Sequence, residues 1–145
     1  MLPAPSLAKI EQLMPSTNPV VLVVEDHALI RQSAVEIIRT AGFEALEAQN
    51  SDEAIKILEA RPGIDLVFTD VEMPGTMDGL KLVHYIRDRW PPIRLMVASG
   101  KAIIEESQLP PGARFFSKPY AEATIVDMMI RLLNEADTEK TEQGL

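Results

Sequence analysis

Four stretches of this sequence end an apolar run in a group that can do chemistry. "VVLVV" (20–24) runs into Glu25-Asp26, "DLVFTD" (65–70) ends in Asp70, "IRLMVAS" (93–99) ends in Ser99, and "ARFFSK" (113–118) ends in Lys118, followed by Pro119. An aspartate at the mouth of a buried strand gives up hydration, so something must compensate it. With the strands side by side, three carboxylates, a hydroxyl and an ammonium meet at one rim. Two carboxylates roughly 5 Å apart repel by about 3 kcal/mol at an effective dielectric near 20. Three in mutual proximity store on the order of 10 kcal/mol when all are ionised. One lysine does not offset that. Either a proton is retained or a divalent cation joins the group. An all-oxygen ligand set with room for water suits Mg2+ or Mn2+.

The loop after the first apolar run argues about the ligand. A nucleotide or flavin phosphate needs glycine-rich or hydroxyl-rich backbone there. This loop is "EDHA", which repels a phosphate unless a metal bridges. A group that arrives as phosphoryl and joins a carboxylate fits better, with Asp70 as nucleophile. Lys118 and the metal would neutralise its equatorial oxygens, and Ser99 would donate a hydrogen bond.

The elements that must position these groups alternate along the chain. "VVLVV" is apolar on both faces, as a central parallel strand requires. "ALIRQSAVEIIRTAG" (28–42) carries Leu29, Ile30, Ala34, Ile37, Ile38 and Ala41 at helical spacing and closes on Gly42. "FEALEA" (43–48) alternates like an edge strand. "SDEAIKILEARPG" (51–63) predicts a helix with Ser51 as its cap. "GLKLVHYIRDRW" (79–90) predicts a helix stopped by Pro91-Pro92, and "EATIVDMMIRLLNEA" (122–136) a last one. Strand–helix alternation implies an α/β domain: a doubly wound parallel sheet of five strands, with ligands beyond the strands' carboxyl ends. Residues 19–136 form that domain. Residues 1–18 are a leader, either one short amphipathic helix with Leu7, Ile10, Leu13 and Met14 on one face or a disordered tail. Residues 137–145 are a polar tail.

These residues match a pattern. Glu25-Asp26 after the first strand, Asp70 followed by "MPG" and "DG", "ASG" after the fourth strand and "KP" after the fifth occur in order, each at a strand end. The sequence thereby resembles the CheY-like receiver domain of two-component response regulators, over residues 19–136. The resemblance implies a flavodoxin-like fold with strand order 2-1-3-4-5. It implies Asp70 as phosphoacceptor, and Asp26 and Asp70 as direct Mg2+ ligands with Glu25 acting through water. The main-chain carbonyl of Glu72 would complete the coordination. It further implies Ser99 as the switch hydroxyl, Lys118 as the phosphate-binding lysine, a cis bond before Pro119, and Phe115 at the switch-aromatic position. The implied partner is a histidine kinase or histidine phosphotransfer protein.

Two departures from the family stand out. The loop after Asp70, "VEMPGTMDG", is one residue longer than usual. "GKAIIEESQLPPGA" (100–113) is too short for a full fourth helix, and its double proline limits it to about two turns. Glu72 and Lys101, two residues past Asp70 and Ser99, are expected to pair across the mouth of the site and to tune the lifetime of the phosphorylated form.

Composition limits the alternatives. The chain of 145 residues carries a formal net charge of −8 and no cysteine, which disfavours nucleic acid and anionic membranes as partners and excludes thiolate chemistry. The expected protein is cytoplasmic, a monomer or weak dimer, and not an enzyme beyond its own phosphorylation and slow dephosphorylation. Three competing readings are an aspartyl-phosphate phosphohydrolase, a flavodoxin-like cofactor binder and an unphosphorylated interaction module. The first wants an aspartate where Glu72 stands, the second a different first loop, and the third leaves the rim unexplained. His27 and His84 carry no catalytic expectation.

Overall fold

The computed structural model describes residues 18–101 and 103–143, with side chains described through Glu135. The leader reading therefore falls, over residues 1–17, outside the described residues. The elements are β1 (Val20–Val24), α1 (Ala28–Thr40), β2 (Glu44–Ala48), α2 (Ser51–Ala60), β3 (Leu66–Asp70), α3 (Gly79–Arg89), β4 (Arg94–Ser99), β5 (Arg114–Ser117) and α4 (Glu122–Gln143). All five strands are parallel, in the order β2-β1-β3-β4-β5. This is the doubly wound fold the resemblance implied.

Strand alternation divides the core between two faces. Val20, Leu22 and Val24 of β1 pack with Leu58 of α2 and with Leu82 and Ile86 of α3. Val21 and Val23 pack on the other face with Ala34, Val35 and Ile38 of α1 and Ile125, Met129 and Leu132 of α4. The central strands β1 and β3 are buried along their whole length, which is why β1 is all Val and Leu and β3 opens on Leu, Val and Phe before Thr69 and Asp70 at its end.

Several local expectations are corrected. α1 is closed by Gly42 as expected, at φ 97°, a conformation that favours glycine, but its last helical residue is Thr40. Leu29 and Ile30 do not join its buried stripe; they are 72% and 40% exposed. α2 is capped by Asn50, whose Oδ1 accepts from Glu53 N at 2.9 Å. Ser51 is instead buried, and its hydroxyl donates to the Met77 carbonyl at 2.9 Å, pinning the loop after β3. α4, expected over 122–136, continues to Gln143.

Among its described residues the segment between β4 and β5 holds one 3-10 turn, Glu106–Gln108, within the limit of about two turns expected from the double proline. Its buried anchors are Ile104 and Leu109. Five residues of α-helix would rotate them about 140° apart, too far for one narrow apolar stripe to bury both. The segment is held instead from α3. His84 Nε2 lies 2.7 Å from the Gln108 carbonyl, and Arg87 donates to the Pro111 carbonyl at 3.0 Å.

One contact ties this frame to the rim. Gly79 opens α3 directly against the end of β3, and a Cβ built on it would lie 1.8 Å from the Asp70 carbonyl oxygen. Backbone cannot yield as a side chain would. Gly79→Ala is therefore expected to destabilise the fold by about 3 kcal/mol, seen as a lower urea midpoint. A midpoint within error of the parent's would show that α3 is free to shift.

Candidate functional site

Parallel register brings the strand ends together. Val24 pairs with Thr69, Asp70 with Ala98, and Ser99 with Ser117. Glu25, Asp70, Ser99 and Lys118 thus emerge at one rim, and Asp26, next to the buried Glu25, is exposed. Backbone bonds extend the sheet by one step here. Glu25 N donates to the Ala48 carbonyl at 3.0 Å, Val71 N to Ala98 at 2.9 Å and Lys118 N to Ser99 at 2.9 Å. Arg31, not singled out in the sequence, donates to the Glu25 carbonyl at 2.8 Å and pairs with Glu47 at 3.2 Å.

Ligand-capable oxygens of Glu25, Asp26 and Asp70 lie within 4.8 Å of one another. Glu25 and Asp70 are 5% and 8% exposed. The Lys118 ammonium reaches both, at 3.1 Å from Asp70 Oδ1 and 3.6 Å from Glu25 Oε1. Asp70 Oδ1 is buried with this ion pair as its contact, and Glu25 Oε2 is buried with no hydrogen-bond partner. A buried carboxylate oxygen without a hydrogen bond, a second held by one ion pair and an exposed third carboxylate are what a hard cation would satisfy.

The crowding shows in the acidities. Burial, reinforced by the charge of Asp70, pushes the Glu25 carboxyl up to about 7, against the pull of Lys118. Burial also raises Asp70, although Lys118 opposes it. Burial alone would lower Lys118, but its carboxylate partners outweigh that and raise it. Burial raises Tyr120, whose ring sits 5.8 Å from that of Phe68 and lines the same cleft as Asp70 and Lys118. No sequence signal marked Tyr120.

The sign of the consequence follows. A carboxyl whose folded pKa exceeds its unfolded value favours folding at low pH, and that contribution is lost as pH rises through the folded value. Without a divalent cation, stability is expected to fall by about 2 kcal/mol between about pH 5.5 and 8. Saturation with a divalent cation should flatten the profile. Thermal unfolding in chelator across that range checks this; a flat curve in chelator would mean the carboxylates are not strained.

Glu72 and Lys101 meet, though not as the sequence suggested. The Glu72 carboxylate accepts the Ser99 hydroxyl, and the Lys101 contribution is its backbone N–H, 3.2 Å from Glu72 Oε1. The ion pairs among the described residues do not include one between the two side chains. Burial works to raise Glu72, yet the hydrogen bonds, led by that from Ser99, leave it lowered and the group charged. Phe115 is half-buried against the core cluster containing Leu82 and Val97. The Lys118–Pro119 bond is cis. His27 caps α1, its ring nitrogen accepting from Ile30 N at 3.4 Å.

Comparison with known proteins agrees with this frame. A family model described as a response regulator receiver domain matches residues 21–130. The response regulator protein FleR of Pseudomonas aeruginosa is 33% identical over 114 residues, which is 77% of this chain and 24% of FleR. The chain thus spans about a quarter of the length of such curated relatives. NtrX from Brucella abortus superimposes with a TM-score of 0.80 at 27% identity, over 88% of this chain and 29% of that one. A CheY-like receiver domain protein from Methanospirillum hungatei JF-1 has a TM-score of 0.78 at 24% identity over 85% of this chain and 99% of its own, a likeness of fold alone. Among the described residues no helix is long and apolar enough to cross a membrane. The matched span takes in every strand end from Glu25 to Lys118, and the chain belongs to the receiver domain family of two-component response regulators.

Proposed function

We propose that this domain is a phosphorylation switch with Asp70 as acceptor. A phosphohistidine on a histidine kinase or phosphotransfer protein would present its phosphoryl group at the rim. The N–P bond breaks, an Asp70 oxygen bonds to phosphorus, and the released imidazole regains its lone pair. The result is an acyl phosphate.

The observation that carries this reading is the cluster of Glu25, Asp26 and Asp70 oxygens within 4.8 Å of one another, in which Glu25 Oε2 is buried without a hydrogen bond and Asp70 Oδ1 is buried with only the Lys118 ion pair. They fit a divalent cation, Mg2+ or Mn2+. The side chains of Glu25, Asp26 and Asp70 and the main-chain carbonyl of Glu72 would hold it. Once bound, such a cation supplies positive charge against the oxygens of the entering phosphoryl group. The protein's own groups do the rest. Lys118 is already within ion-pair distance of Asp70 and would follow the charge onto the phosphoryl oxygens. Ser99 would donate its hydroxyl to another of them, and Phe115 would turn into the space it leaves. The changed surface alters affinity for a protein partner. We assign the domain no turnover of other substrates, a cytoplasmic location, and a monomeric or weakly dimeric state.

The experiment is incubation with Mg2+ and acetyl phosphate followed by intact mass, with phosphotransfer profiling against candidate histidine kinases. A single added phosphoryl group, lost when Mg2+ is chelated beforehand, is the expected result. Turnover of many phosphomonoesters would favour a hydrolase instead.

A further inference from the structure

The Ser99 hydroxyl has one proton, and it is engaged. The residue is 2% exposed, and its Oγ donates to the Glu72 carboxylate. The Lys101 N–H closes the arrangement, 3.2 Å from Glu72 Oε1 and 3.4 Å from Ser99 Oγ. A hydroxyl offers a single donor. It cannot serve Glu72 and a phosphoryl oxygen together.

We propose that Glu72 is a positioning residue whose carboxylate latches the Ser99 hydroxyl and the Lys101 amide in the unmodified state, so that phosphorylation must open the latch before Ser99 can reach Asp70. The inference rests on the reading of Asp70 as acceptor and Ser99 as the hydroxyl that turns to it. The trigger is local. A phosphoryl group on Asp70 places negative charge beside the Glu72 carboxylate, which then repels it, while the same charge attracts the hydroxyl proton. One event weakens the old acceptor and supplies the new one. The Lys101 amide loses its carboxylate partner in the same step, so the start of the 100–113 segment is released with it. Glu72 thus acts through Ser99 and not on phosphorus.

The test uses the full chain with Mg2+ and beryllofluoride, which stands in for a phosphoryl group on a carboxylate. It is a cycle of Glu72→Ala, Ser99→Ala and the double variant. A charge-assisted hydrogen bond that no longer has to break should raise beryllofluoride affinity about tenfold in Glu72→Ala when Ser99 is present. Without Ser99 only relief of repulsion remains, and the gain should not exceed about threefold. Equal gains in both backgrounds overturn the latch and leave the Asp70 reading standing. If no protein in the cycle binds beryllofluoride and the parent gains no mass from acetyl phosphate, the Asp70 reading falls and the latch falls with it. A second readout needs neither metal nor ligand. In the metal-free protein the Lys101 amide proton should move upfield in Glu72→Ala, and by less in Glu72→Gln, which keeps an acceptor oxygen without the charge. A Lys101 amide that stays put in Glu72→Ala overturns the latch.

Discussion

Asp70→Asn should gain no phosphoryl group from acetyl phosphate or from a phosphohistidine partner, and should unfold at a higher temperature than the parent when metal is absent. The first effect is chemical. An amide oxygen is a poor nucleophile and cannot form the acyl phosphate, so the added mass seen with the parent is expected to vanish entirely. The second is electrostatic. Burial raises the Asp70 carboxyl against the opposing pull of Lys118, so its ionisation works against folding. The amide is nearly isosteric and carries no charge to bury. With it in place, Lys118 pairs with Glu25 alone, from its present 3.6 Å. Glu25 also loses the neighbour whose charge is the second cause of its raised value, so the fall in stability with pH should become shallower in chelator.

Loss of function with gain of stability is the mark of a site whose groups are placed for reaction and not for the fold. A variant that merely damaged the structure would lose both. Intact mass spectrometry and thermal unfolding of the same preparation separate the two cases. Phosphoryl gain by Asp70→Asn would move the acceptor to another side chain. Unchanged or lowered stability in chelator would mean that Lys118 already neutralises the cluster.

How much of this was open to sequence reasoning depends on the range of the interactions. The strands were legible because "VVLVV" and "LVFTD" bury both faces and are apolar apart from Thr69 up to the rim, where Glu25 and Asp70 stand out against them. The convergence of Asp70, Ser99 and Lys118 followed from parallel topology alone. Choices made by tertiary contact were not legible. Asn50 and Ser51 are equally good caps by type, and the decision fell to the Met77 carbonyl, which takes the Ser51 hydroxyl. Leu29 and Ile30 fit a helical stripe, yet the sheet receives α1 through Ala34, Val35 and Ile38. The missing fourth helix was half legible: Pro110-Pro111 limited its length, but the replacement tether from Arg87 and His84 leaves no periodic trace. The same holds for Glu72, whose bond to Ser99 joins residues 27 apart in sequence.

Lys118→Met should move three measurements in different directions. The ammonium is the one counter-charge within salt-bridge distance of both buried carboxylates among the described residues. Removing one partner of a buried ion pair costs about 3–5 kcal/mol, because the other charge stays behind without compensation. That cost has a ceiling here. Glu25, already raised to about 7 with the lysine present, can escape by retaining its proton. The destabilisation should therefore be largest above about pH 7 and smallest near about pH 5, where the proton does what the lysine did. Affinity for Mg2+ should rise, since a divalent cation no longer competes with an ammonium held 3.1 Å from Asp70. Phosphoryl uptake should nevertheless fall, by about a hundredfold, because a fixed cation aimed at developing charge is lost. Lys118→Arg should restore much of the stability and little of the uptake, since a planar guanidinium keeps the charge but cannot fit the point contact between two carboxylates. Calorimetry with Mg2+, unfolding at two pH values and the rate of mass gain from acetyl phosphate read the three effects separately. Uptake at the parental rate in Lys118→Met would mean that the lysine only neutralises the resting cluster and has no part in the transfer.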